Sequence, residues 1–410
     1  MEQNKIDGST HDDDNDRSLS IEHVPLDLMG EILSRQPAKS IGRSRSVSKL
    51  WSSITTTQGF IKSFAARSSE SSQPCALLIF SKRDKLFVFS SPQKESYQFK
   101  IPRDGFLQRY DSVHGLVYLE TSTQLMIWNP TMKRFFTLPE PEGSEGIYIT
   151  GSLGYDPIDC KYKALCHLTG DKIGILTLGS QESWRILSQG FPSHSRRMSD
   201  CVICINGVIY YQCFSGLSLA HAIMSFDVRS EKFHLIKYMS RDGCFFVSYE
   251  GRLALMLSSN GHSGIELWIL VNAENHEWVY KHFPTPFLRQ TFWVLRDMKL
   301  KGVTDEGEFI YVYTTFSIYT RRADVIDLSS DDWSEFIVIY FDPKKNSSRV
   351  VNFLGISIGD LKRLRVLGSE LIEGLSVVPN HIESLMSFIS WEENERRIEE
   401  KIVVTSVEFG

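Results

Sequence analysis

The sequence predicts a mostly β protein: a closed β-propeller, expected to hold six blades of four strands over residues 75–380, preceded by a small segment of three helices. Three observations carry this expectation. The hydrophobic period changes from helical to strand-like at Cys75. A short strand, a tight turn and a second apolar strand then recur, with turns near positions 115, 160, 207, 251 and 307, at spacings of 45, 47, 44 and 56 residues. A second hairpin follows each of these, so about four strands fall within each ~45 residues, the period of a propeller blade.

Residues 1–19 are polar and acidic and read as a disordered tail. Within it, His11 with Asp12, Asp13 and Asp14 reads as a solvated cluster that lacks the fixed geometry a metal needs. Residues 20–64 hold the helix signals. Pro25 fits the first position of a helix, where a missing N–H costs nothing, and Asp27 sits in its first turn, near the positive end of the dipole. Leu28, Ile32 and Leu33 follow at helical spacing, and Pro37 ends the helix. A second short helix is expected over 38–44, and a third carries Val47, Leu50, Trp51 and Ile54 at i, i+3, i+4, i+7. Three helices in ~35 residues bury too little to stand alone without metal, disulfide or partner. The segment 21–54 has no Cys and one His, so a partner is the expected support. Leu28, Leu50 and Ile54 are the candidates for internal packing. Residues 65–74, AARSSESSQP, read as a polar linker that keeps the helices separate from the propeller.

The propeller opens with strands at 76–80, 85–90 and 96–101, the last two joined by a turn near Gln93. That is one strand short of a blade. The strand-like GLSVV at 374–378 is expected to supply the fourth and close the ring, which removes open sheet edges. The inner hairpins are VHGLVYL at 113–119, YDPIDCKYKAL with its turn near Asp159-Cys160, CINGVIYY at 204–211, YEGRLALML at 249–257 and DEGEFIYVY at 305–313. Asn206-Gly207 is the strongest hairpin signal among them. Outer turns fall near Met132, Gln181, Ser230, Glu274 and Lys345. An insertion at 314–335 separates the two hairpins of the last repeat, and long insertions in compact domains are often functional. Its Arg321, Arg322 and Trp333 are of the types enriched at binding hot spots, which makes them candidate contacts for a target protein. Residues 381–410 are expected to form a helix and tail, the helix packed on the ring through Ile382, Leu385, Met386, Ile389 and Trp391.

Composition narrows the function classes. A hydrophobic share of 42% with 23% charged residues is that of an ordinary globular chain, and a net charge of −5 argues against a general nucleic-acid surface. No apolar run reaches the ~18 residues of a membrane span, and the first residues lack a signal-peptide core. Seven cysteines without dense spacing suit a reducing compartment, cytoplasm or nucleus. Cys201 and Cys204 form C-x-x-C, but on a strand residues three apart point to opposite faces, so both are expected to be structural. No G-x-S-x-G, H-E-x-x-H, Walker-type or G-x-G-x-x-G pattern occurs, and neither His114 nor His167 has a visible nucleophile partner. Trp128, Trp184, Trp268, Trp278 and Trp333 are of the type that lines ligand grooves, but blade packing is expected to account for most of them. No catalytic residue, metal site or cofactor is expected.

Two resemblances add to this reading. Val24-Pro25-Leu26-Asp27-Leu28, Glu31-Ile32-Leu33-Ser34-Arg35, Pro37-Ala38-Lys39-Ser40-Ile41, and Arg45 with Val47-Ser48-Lys49-Leu50-Trp51 resemble the F-box of plant F-box proteins. Gln36 stands where that family usually has Leu, and Ser44 where it often has Phe, both with less apolar area. His114-Gly115-Leu116-Val117, Ile127-Trp128-Asn129-Pro130-Thr131, Gly154-Tyr155-Asp156-Pro157 and Phe226-Asp227-Val228-Arg229-Ser230 resemble the type 3 F-box-associated domain of the same family. The resemblance implies a non-catalytic substrate-recognition subunit of an SCF-type cullin–RING ubiquitin ligase. Its helices would dock on an SKP-type adaptor, and through it on a cullin, by way of Pro25, Leu26, Ile32, Leu33, Pro37, Val47 and Trp51. Its propeller would bind an unknown target protein. The rival readings are a propeller that binds a ligand or sugar or acts as an enzyme, and an F-box scaffold outside a ligase.

Overall fold

The computed structural model describes residues 25–69, most of 75–386 and 405–406; the gaps fall between strands, the longest at 101–106, 143–149, 285–297, 314–336 and 353–372. Among the described residues four helices come first: α1 (Leu26–Ser34), α2 (Ala38–Val47), α3 (Lys49–Thr55) and α4 (Gln58–Ser69). Pro25 and Pro37 stand one residue before α1 and α2, with ψ of 142° and 146°, so each proline leads into a helix rather than opening it from within. Ser48 caps α3, its hydroxyl accepting from the Trp51 backbone N–H. The polar linker expected at 65–74 is corrected for its first half. α4 runs to Ser69 because Phe60, Phe64 and Ala65 place one buried apolar stripe along it, at 7%, 4% and 9% exposure.

Six sheets follow. The first contains β1 (Cys75–Lys82), β2 (Lys85–Ser91) and β3 (Ser96–Lys100), and the second β4 (Leu107–Val113), β5 (Leu116–Thr121), β6 (Leu125–Asn129) and β7 (Arg134–Thr137). The third holds β8 (Thr150–Asp156), β9 (Lys161–Leu168), β10 (Lys172–Thr177) and β11 (Arg185–Leu187). In the fourth, β12 (His194–Ser195) and β13 (Val202–Ile205) both pair with β14 (Val208–Ser215), followed by β15 (Ala220–Asp227) and β16 (Phe233–Lys237). The inner strand of that blade is thus split in two, where the sequence pattern suggested one. The fifth holds β17 (Cys244–Tyr249), β18 (Arg252–Ser258), β19 (Ile265–Asn272) and β20 (Glu277–Phe283), and the sixth β21 (Met298–Val303), β22 (Phe309–Tyr313), β23 (Ile337–Asp342) and β24 (Ser347–Asn352).

β25 (Glu373–His381) closes the ring. It pairs antiparallel with β1, Leu78 opposite Val377, as the strand-like GLSVV implied. β4, β8, β13, β17, β21 and β25 touch in that order around a circle, and β25 meets both β21 and β4. A short β26 (Thr405–Ser406) adds to the outer edge of the first blade against β3. The helix expected from residue 381 does not begin there. His381 ends β25 and the chain stays non-helical to Met386; Ile389, Trp391 and the rest of 387–400 lie outside the described residues, as do the 1–19 tail and the 314–335 insertion.

The tight inner turns follow from residues that accept positive φ. His114-Gly115, Asn206-Gly207 and Glu250-Gly251 have φ of 45° and 86°, 48° and 84°, and 51° and 72°, the paired left-handed geometry of a two-residue hairpin turn. The core lies between blades. β5 shows how period two builds it: Val117 and Leu119 pack toward the first blade, with Leu77, Ile79 and Trp128, while Leu116 and Tyr118 pack toward the third, with Leu153 and Ala164. Cys201 and Cys204 obey the same rule. Cys201 packs between the fourth and fifth blades beside Ile203 and Ile205, and Cys204 on the opposite face near Ile209 and Val202.

Candidate functional site

The four helices share a small core of Leu33, Ala38, Ile41, Phe60 and Phe64, with Trp51, Ile54, Ile61 and Met132 packed around it. Polar ties set its angles. The Arg45 guanidinium donates from Nε to Thr55 Oγ1 at 3.0 Å and from Nη2 to the Thr55 carbonyl at 2.7 Å, joining α2 to α3. Arg67 on α4 pairs with Glu31 on α1, and hydrogen bonds from Arg67 and then Arg35 hold that carboxyl below the usual range.

What this core leaves outside is apolar. Leu26 is 58% exposed, Leu28 54%, Ile32 56%, Val47 80% and Leu50 44%. Five large aliphatic side chains thus stand open on α1, α2 and α3, which share this core. So many exposed large apolar side chains on so small a unit make it a candidate interaction surface. Of the residues expected to dock, Pro25, Leu26, Ile32, Pro37 and Val47 are exposed. Leu33 and Trp51 are not on that surface: Leu33 is 7% exposed within the helical core and Trp51 is half-buried against it. Leu28 and Leu50, expected to pack internally, belong with the exposed set, and only Ile54 packs as expected. Gln36 is exposed. Ser44 is buried, its hydroxyl donating to the Ile41 carbonyl at 2.7 Å, so the loss of apolar area there concerns the core and not the surface.

Sequence reasoning missed how the helices are held. Rather than standing clear of the propeller behind a linker, they pack on it through the stretch after β25. Asn129 at the end of β6 is fully buried, and its Nδ2 donates to the carbonyls of Ser384 and Met386, each at 3.0 Å. Thr131 Oγ1 accepts from the Ser384 N–H at 3.0 Å. Leu385 enters the helical core and is 1% exposed, while Met386 enters the core between the second and third blades. The Ala38 N–H donates to Glu383 Oε2 at 3.2 Å, and the Glu383 N–H donates to Ser68 Oγ at 2.8 Å. Below this crossing the His114 ring stacks on Tyr155 at 3.7 Å, and burial pushes its pKa down to about 4. His381, buried at the end of β25 and 3.5 Å from Ser112 Oγ, is likewise pushed down to about 4 by burial. No local pattern in the sequence signals this crossing, because Ile382, Leu385 and Met386 fit one face of an amphipathic helix equally well.

The insertion bearing Arg321, Arg322 and Trp333 lies outside the described residues; it joins β22 to β23. Among the described residues no group of three or more His, Cys, Asp or Glu side chains is arranged to hold a metal, and no helix is long and apolar enough to cross a membrane.

Comparison with known proteins agrees with this architecture. Residues 21–63 match the F-box domain model, and residues 75–382 match the F-box associated beta propeller domain model. The chain is 53% identical over 388 residues to the Arabidopsis thaliana protein At4g09190, which bears the F-box protein name, with 90% of this chain and 97% of that one covered. It is 48% identical over 376 residues to the F-box protein At5g18160 of the same plant, covering 89% and 91%. With a segment of helices that matches the F-box, a six-bladed ring and relatives matched over nearly their full length, this chain belongs to the plant F-box proteins that carry an F-box associated β-propeller domain.

Proposed function

We propose that this chain is a substrate-recognition subunit of an SCF-type ubiquitin ligase. Its helices dock on an SKP-type adaptor, which links it to a cullin, and its propeller captures the protein to be modified. The observation that carries the proposal is the set of exposed aliphatic side chains Leu26, Leu28, Ile32, Val47 and Leu50 on helices whose other large apolar residues are buried or half-buried. F-box proteins are in general non-catalytic adaptors, and the chemistry of ubiquitin transfer is assigned to other subunits.

Strand alternation separates the two roles in space. The helices pack beside the β6–β7 turn, through Met132, and beside the β8–β9 turn, where Lys62 Nζ donates to the Ile158 carbonyl at 3.1 Å. Turns of that class lie at one end of the ring; the β22–β23 connection leaves from the other. Target capture is accordingly assigned to the end away from the adaptor, with Arg321, Arg322 and Trp333 as the proposed contacts.

The test is titration of the purified chain with a purified SKP-type adaptor, followed by co-purification of a cullin from plant cells. Binding with cullin recovery is expected; a chain that binds no adaptor would defeat the reading. Replacing Arg321, Arg322 and Trp333 together by Ala is expected to weaken target capture in proximity labelling under proteasome inhibition, with the melting temperature unchanged. Gln36→Leu is expected to tighten adaptor binding, because it adds apolar area at an exposed position of the docking helices.

A further inference from the structure

We propose that residues 381–386 are positioning residues for adaptor docking, so that the docking helices take their final form only in chains whose ring is closed. The inference rests on the docking reading above and adds a condition to it.

The helical core is incomplete without this stretch. Leu385 is the most buried aliphatic side chain in it after Ile41, at 1% against 0% exposure, and it comes from the far end of the chain. The start of α2 has the same dependence. Pro37 offers no side-chain cap, and the first N–H of the helix is taken by the carboxylate of Glu383, 345 residues away in sequence. A helix start whose N–H groups lack acceptors is destabilised, and here a distant carboxylate does what a local Ser or Asp normally does.

The position of Glu383 and Leu385 is in turn set by the ring. β25 is registered on β1 up to His381 opposite Cys75, so the next residues emerge at one place beside the inner turn of the second blade. There the chain passes so close to Gly115 that a Cβ on it would lie 2.8 Å from the Ile382 carbonyl oxygen and 2.8 Å from Ser384 Cβ. Asn129 and Thr131 then fix Ser384 and Met386 by three hydrogen bonds of 3.0 Å. Met386 is seated in the propeller core and its neighbour Leu385 in the helical core, so two adjacent side chains tie the ring to the helices. Pairing of β25, seating of this stretch and completion of the helical core are therefore one linked event.

The test uses the full-length chain carrying Leu385→Asp, with Leu385→Met as the volume-conserving control. Two quantities are read: adaptor affinity by titration, and hydrogen exchange by mass spectrometry over α2–α4 and over the third to fifth blades. Leu385→Asp is expected to accelerate exchange in α2–α4 at least tenfold, leave the blade strands protected, and weaken adaptor binding at least tenfold, since affinity falls with the fraction of competent helices. Leu385→Met is expected to stay near wild type on both readings. Wild-type exchange in α2–α4 of Leu385→Asp overturns the proposal, as does wild-type affinity with the helices loosened. If Asp also opens the blades, Leu385→Ala, which removes packing without burying a charge, decides by the same comparison. A wild-type chain that binds no adaptor would sink the docking reading, while the exchange measurement alone would still decide whether residues 381–386 complete the helices.

Discussion

The double substitution Leu26→Ala with Ile32→Ala separates docking from folding. Leu26 and Ile32 are 58% and 56% exposed, so more than half of each side chain is available to a partner and little of it supports the helical core. Full burial of such a side chain is worth about 1.5–3 kcal/mol. Taking the exposed share gives about 1–1.7 kcal/mol each and about 2–3 kcal/mol together. At ~1.4 kcal/mol per tenfold, adaptor affinity should fall about 30- to 150-fold. Exposed substitutions away from caps and networks usually stay within about 0.5 kcal/mol in stability, so the melting curve should not move. Leu33→Ala is the contrast. Leu33 is 7% exposed in the helical core, and truncating such a residue costs about 2–5 kcal/mol of stability. The assay is calorimetric titration with purified adaptor beside thermal melts by circular dichroism. Wild-type affinity in the double variant would refute the assignment of the docking surface. A lowered melting temperature in that variant would refute the claim that these side chains are spare to the fold.

Two further outcomes are expected. Gly115→Ala should lower stability by about 1–3 kcal/mol in denaturant melts, from a disfavoured φ of 86° and the clash with residues 382 and 384; a stability equal to wild type would contradict the close crossing. Lowering pH from 7 to 5 should destabilise the protein. His114 and His381 are held near 4 by burial, below the ordinary 6.5, so their stabilising contribution is full above about 6.5 and is lost as pH falls toward 4. Each group contributes up to about 1.4 kcal/mol per pH unit. Asp111, raised to about 6 by burial, binds its proton more tightly in the folded state and offsets one of them below that pH. Melting temperature against pH in the wild type and in His381→Gln checks this, and a flat wild-type profile between 7 and 5 would refute it.

The ring was legible because its signals are local. Gly-containing turns at 115, 207 and 251 demand left-handed backbone that few residues accept, and the three-strand opening called for a closing strand. The docking surface was half legible. Helical spacing marks an apolar face but does not say which of two apolar faces the neighbours cover. Leu33 and Trp51 are covered because α4 and Leu385 arrive from outside the segment, and that leaves Leu28 and Leu50 open. The helical reading of residues 382–386 failed for a related reason. Ile382, Leu385 and Met386 have helical spacing, but buried Asn129 donates two side-chain hydrogen bonds to the carbonyls of Ser384 and Met386 and holds the chain non-helical, a preference no local pattern records. Residues 65–69 looked like linker because their composition is polar, yet they complete the turns that Phe60 and Phe64 began.

Pairing of β1 with β25 also sets a schedule for the nascent chain. About 290 residues lie between the two strands, and at the ~5–20 residues per second of synthesis β1 waits about 15–60 s for its partner to be made. Over that interval its consecutive Leu77, Leu78, Ile79 and Phe80 present an apolar strand edge on the ribosome-bound chain. Closure is also a contact of very long sequence separation, which slows folding after release. The demand for chaperones should therefore be concentrated on the first blade, the part of the ring made earliest and finished last.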